Sequence, residues 1–110
     1  MKDDAIIFDD DEIEAASHWH GGQSSMLYAV TSTGALSRGT HRPYNDDEGR
    51  PMTDEEWMTD LAERLAREAE EAARDASKQA KKAKGREKRE LLADANALLN
   101  MVDKIRDAIR

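Results

Sequence analysis

Alanine falls at positions 62, 66, 69, 73, 76, 80 and 83, a strict alternation of four and three residues. That spacing holds one narrow stripe of a helix toward a partner helix, and alanine lets the two backbones approach closely. Ala72 alone in this stretch stands outside the row. A second row follows with the same alternation: Leu91, Ala95, Leu98, Val102, Ile105 and Ile109. Leu92 and Leu99 broaden that face, so the second helix should bury against more than one neighbour. The two rows are out of phase. Continuing the alanine frame past Ala83 reaches Glu87, Glu90 and Asp94, all charged. A turn around Gly85 resolves the mismatch and folds the second helix back antiparallel on the first.

The fold class that follows is mainly α: a long antiparallel helical hairpin over about 54–84 and 87–109, with a coiled-coil-like seam. At about 1.5 Å per residue the two helices would be roughly 46 and 36 Å long. Small faces large through most layers of this pairing, Ala76 against Leu98 and Ala73 against Val102, which fills a close-packed seam. The hairpin start is well marked. Thr53 and Glu56 are spaced for a capping box, and Met52 and Trp57 for a hydrophobic staple. Asp60–Arg64, Glu63–Arg67 and Glu70–Arg74 are i,i+4 pairs in the favourable order.

The N-terminal half shows shorter periods. Ala5-Ile6-Ile7-Phe8 reads as a brief strand or an anchor. The acidic run after it, with Asp9 or Asp10 as cap, predicts a helix to about His20, closed by Gly21-Gly22 in left-handed geometry. Ser24 or Ser25 would cap a second short helix through Met26–Val30, ended by Gly34; the same residues fit a β-hairpin over 26–38. Lacking a core of its own, this part should pack Ile6, Phe8, Trp19, Leu27, Tyr28 and Val30 onto the open end of the hairpin. The expected organisation is one domain over 1–110: an acidic part over 1–34, a loop over 35–52 and the hairpin over 53–110.

Composition narrows the functional classes. Charged residues make up 37% of the chain and hydrophobic ones 38%, a ratio that suits elongated helices with much solvated surface. The net charge of −7 favours solubility and opposes generalised binding to phosphate or membrane surfaces. There is no cysteine, so disulfides and thiol catalysis are excluded. No apolar run approaches the ~18 residues of a spanning helix, and the start is too acidic for a signal peptide. The expectation is a soluble, cytoplasmic protein with no membrane partner.

Three places carry candidate chemistry. Lys78, Lys81, Lys82, Lys84, Arg86, Lys88 and Arg89 concentrate positive charge at the hairpin tip, relieved by Glu87 and Glu90. Cations in a last helical turn also serve the helix dipole, so the cluster has a structural reading beside the functional one. The second place is His18-Trp19-His20. On a strand the two histidines would point together and with His41 could hold a metal; on a helix they lie about 200° apart and could not. The helical reading buries Trp19 and leaves the histidines as cap or surface, so no metal and no cofactor are expected; His18, Trp19 and His20, with the Gly21-Gly22 backbone, are then the alternative corner for contact with a partner. The third is the acidic N-terminal segment with the Asp46-Asp47-Glu48 loop, which could imitate DNA phosphates. No nucleophile elbow or phosphate-binding glycine loop is present.

The expected function is that of a small acidic, non-enzymatic interaction or regulatory protein that binds or inhibits a macromolecular partner. Its character suits a phage-type accessory factor aimed at a host protein. The partner classes are a protein, a second copy of the chain through the leftover apolar surface of Leu92, Leu99 and Met101, and, as the weaker choice, nucleic acid at the basic tip. The tip has no aromatic side chain for base stacking, and the rest of the chain repels phosphate.

Overall fold

Two helices account for half of the chain. α3 runs Asp54–Lys82 and α4 runs Gly85–Ile109. They pack antiparallel along their length as the hairpin the phase break demanded. The computed structural model describes residues 5–37 and 54–109. Thr53, Met52, His41 and the whole stretch 38–53 lie outside the described residues, as do the side chains of Trp57 and Met58; the capping box, the staple and the turn chemistry of that loop lie there too.

The seam follows the two rows. Ala62, Ala66, Ala69, Ala73, Ala76 and Ala80 are buried from α3, and Ala95, Leu98, Val102 and Ile105 from α4. Gly85 takes φ +62, the left-handed conformation that glycine adopts without a steric penalty, and there the chain reverses. Ahead of it, the Ala83 N–H donates to the Gln79 and Ala80 carbonyls, closing α3. Arg64 pairs with Asp60 at 3.0 Å and Arg74 with Glu70 at 3.7 Å. Glu63 and Arg67 form no ion pair among the described residues. Arg106 of α4 reaches across to Glu70, linking the two helices.

The N-terminal part is β1 (Ala5–Ile7), α1 (Asp10–Trp19), α2 (Met26–Thr31) and β2 (Ala35–Ser37). β1 and β2 form an antiparallel ribbon in the register Ala5–Ser37, Ile6–Leu36 and Ile7–Ala35. The alternative of a β-hairpin over 26–38 is therefore corrected: 26–31 is helical, and the residues 35–37, read as the start of the loop, pair with the N-terminal strand. The Ser25 hydroxyl accepts the Tyr28 N–H and fixes the start of α2. Gly34, at φ +74, donates its N–H to the Val30 carbonyl at 2.8 Å and closes it. Met26, Leu27 and Val30 then share one buried face, a helical period.

α1 begins as expected, with Asp9 as N-cap, but ends differently. The chain leaves it through His20 in extended geometry, and of the glycine pair only Gly22 has positive φ. The last turn is held from the side, by Trp19, and no left-handed glycine cap is used.

α1 lies antiparallel along α4, from Lys104 at its start to Asp94 at its end. α2 lies on α3, where the Met26 N–H donates to Glu68 Oε2 at 2.7 Å. Ile6, Phe8, Leu27, Val30, Leu61, Leu65 and Leu36 join one core with the seam, and Trp19 packs on it half-buried. Tyr28 does not join that core; it is 38% exposed on the outer side of α2. Ala72 and Met101, both off the seam rows, are buried because the N-terminal layer covers a second face of each hairpin helix.

Candidate interaction surface

The tip cations sit where the N-terminal layer ends. On α4 the last hydrogen bonds from α1 fall on Asp94; on α3 the cavity under Trp19, Gly21 and Ser24 reaches as far as Asp75. Beyond those levels the hairpin continues for roughly 10–14 Å, and Glu14 and His18 of α1 still share a cavity with Glu87, Glu90 and Leu91 on its α4 side. Lys78, Lys81, Lys82, Lys84, Arg86, Lys88 and Arg89 are all exposed there. Arg86 Nε pairs with Glu90 Oε1 at 3.1 Å, an i,i+4 contact on the surface. The other six cations make no ion pair among the described residues. They sit on the end of α3, the connection and the start of α4, where Glu87 and Glu90 offset part of their mutual repulsion and leave a net positive tip.

The His-Trp-His segment divides. The Trp19 Nε1–H donates to Asp94 Oδ2 at 3.0 Å, and His18 Nδ1 approaches the same oxygen at 3.3 Å. His20 turns the other way, its ring edge-on to Tyr28 with centroids 5.1 Å apart and planes at 75°. The helical spacing thus separates the histidines, as a 200° offset requires. No group of three or more metal-ligating side chains occurs among the described residues. Trp19 is a bracket between α1 and α4, with only part of its ring on the surface.

A polar contact that the sequence did not announce lies at the other end of α1. Glu12 is buried, and its Oε1 accepts both the Asp9 N–H at 2.7 Å and the Lys104 ammonium at 2.6 Å. Asp9 Oδ2 adds a second carboxylate at 3.3 Å from the same ammonium. The hydrogen bond to Glu12 is the main cause that raises the Lys104 pKa above the ordinary lysine value, and Asp9 adds to it. This cluster is structural: Glu12 Oε1 joins the cap of α1 to Lys104, while Glu12 Oε2 is buried without a hydrogen-bond partner among the described residues. The signal in the sequence was Glu12 at the third helical position after Asp9, a capping-box spacing.

A third region emerges from the packing. α4 has one face on α3 and one on α1, and a third face bears Leu92 and Leu99, 42% and 48% exposed. Beside Leu99 a groove of about 450 Å³ opens between the hairpin helices, lined by Ala73, Ser77, Arg74, Lys78 and Lys81. Met101, expected on that apolar surface with the two leucines, is instead fully buried under α1. No helix among the described residues is long and apolar enough to cross a membrane.

Compared with known protein families, curated proteins and solved structures, the chain matches none.

Proposed function

We propose that this chain is a non-enzymatic interaction protein of the cytoplasm that presents its hairpin tip to an acidic surface of a protein partner, regulating or inhibiting it. The observation that supports this reading is the exposed cluster of seven cations on a projecting, glycine-reversed turn. Glu87 and Glu90 offset only part of this charge, and the self-repulsion that is left is a cost that an acidic partner removes. A protein is favoured over nucleic acid because the net charge of −7 repels phosphate at long range and the tip offers no ring to stack on a base. A regulatory factor of the phage type, directed at a host protein, has this character.

The test uses the full chain and a variant with Lys82→Glu, Lys84→Glu and Arg89→Glu. Affinity capture from cell extract, read by mass spectrometry, should recover a protein with the wild type that the triple variant loses. Recovery of the same proteins by both would overturn the tip as the binding surface. A salt-dependent mobility shift of duplex or single-stranded DNA, abolished in the variant, would overturn the protein partner in favour of nucleic acid.

A further inference from the structure

We infer that the uncovered face of α4 pairs with the same face of a second copy of this chain, antiparallel, about a two-fold axis between Ala95 and Asn96. On a helical projection, Lys88, Leu92, Leu99 and Asp103 fall within roughly 60° of one another, on the sector that neither α1 nor α3 covers. Leu92 and Leu99 are the two exposed leucines of the described chain. They lie one heptad apart, the spacing at which a helix presents an apolar stripe to another helix.

The order of the four residues along the stripe selects the occupant. Lys88 and Leu92 stand as far before the midpoint as Asp103 and Leu99 stand after it. Turning a copy end for end about that midpoint sets Leu92 against the partner subunit's Leu99, and Lys88 against the partner subunit's Asp103. Both contacts occur twice, as a two-fold interface requires. A parallel pairing sets Lys88 on Lys88 and Asp103 on Asp103, so the charges reject it. Lys88 and Asp103 are exposed, and neither makes an ion pair among the described residues, so both are free to take these partners. The groove beside Leu99 supplies room for the incoming leucine next to Ala73 and Ser77. In this arrangement the leucines supply affinity and the charges supply orientation. The stripe shares Lys88 with the tip, and Lys78 and Lys81 border the groove, but the inference does not rest on the tip reading, and Lys82, Lys84 and Arg89, which test that reading, lie off the stripe.

Sedimentation equilibrium of the full chain should give a dimer that dissociates on dilution. Lys88→Glu and Asp103→Lys should each weaken it about tenfold, and the two together should restore it, because the reversed charges again face one another. Leu99→Asp should give a monomer that keeps its helical circular dichroism. Because the chain has no cysteine, register can be read directly. An oxidised mixture of Leu92→Cys and Leu99→Cys chains should cross-link as the heterodimer, with neither variant cross-linking to itself. A monomeric wild type at all concentrations, single charge reversals without effect, or a Leu92→Cys homodimer would each overturn the proposal. Retention of the dimer in the Lys82/Lys84/Arg89 reversal would keep its outcome separate from that of the tip.

Discussion

Lys104 Nζ lies 2.6 Å from Glu12 Oε1, so one buried carboxylate oxygen both caps α1 and fastens it to α4. Lys104→Met should destabilise the fold by about 2–3 kcal/mol, since a buried carboxylate is left without its countercharge. The double variant Glu12→Gln/Lys104→Met should recover most of that, because a neutral amide still accepts the Asp9 N–H and no unpaired charge remains. Urea unfolding of the single and double variants measures the difference. Equal losses in both would show that the pair acts only through packing.

The same contact sets a pH dependence. The Lys104 pKa is raised in the folded chain, chiefly by its hydrogen bond to Glu12, above the ordinary value of 10.5. The unfolded chain therefore releases this proton first as pH rises. The pair's contribution is complete below about pH 10.5 and is lost as pH climbs through the folded value. The wild type should lose stability in that alkaline window faster than Lys104→Met, measured by urea midpoints across the range.

Trp19 and His18 share Asp94 unequally. Trp19→Phe keeps an aromatic ring, smaller than the indole, but removes the N–H that donates to Asp94 Oδ2 at 3.0 Å, and should cost about 1–2 kcal/mol. His18→Ala should cost less than about 0.5 kcal/mol, because His18 is more than half exposed and its contact is longer, at 3.3 Å. A larger loss for His18 than for Trp19 in chemical denaturation would reverse this assignment.

Two adjacent leucines of α4 should behave oppositely. Leu98 is fully buried in the seam and Leu99 is 48% exposed. Leu98→Ala should destabilise by about 3 kcal/mol or more, and Leu99→Ala by less than about 1 kcal/mol in dilute solution. Similar midpoint shifts would mean that the face assignment of α4 is wrong.

Gly85 tests the turn. Nothing lies within 4 Å of where a Cβ would stand, yet the residue sits at φ +62. Gly85→Ala should therefore cost about 1 kcal/mol through the backbone alone, and Gly85→Asn less, since asparagine tolerates that conformation. Thermal unfolding of the two variants should separate them in that order.

The hairpin was legible because its signal is long. Six alanines and four apolar residues of α4 occupy seam positions that heptad spacing alone assigns, and the phase break at Glu87 demands the reversal at Gly85. Short runs carried less. Met26–Thr31 fits either period over six residues, and what decides it is a cap, Ser25, together with a strand partner for Ala35–Ser37 that lies thirty residues upstream. Contacts between distant positions left little trace. Ala72 and Met101 looked like surface residues because a single helix pattern cannot show that α1 and α2 cover second faces. Tyr28 looked like core because its ring is large; the helical phase of α2 turns it outward. Of the candidate surface, the cationic tip was visible as composition. The exposed Leu92–Leu99 stripe was visible only in part, since Met101 had first to be subtracted from it.

The charged tip has a consequence for speed. The exposed acids Asp9, Asp10 and Asp11 open α1 beside Lys104, while the cations gather at the far end of a helix about 44 Å long. The charges of the described residues therefore give a single copy an electric dipole along its length, and a charged partner exerts a torque on that copy before the surfaces meet. On the proposed function, encounters would arrive pre-aligned, tip first toward an acidic body. The alignment acts over the ~8 Å screening length of physiological salt and fades as ionic strength rises. Salt should thus slow association far more than it hastens release.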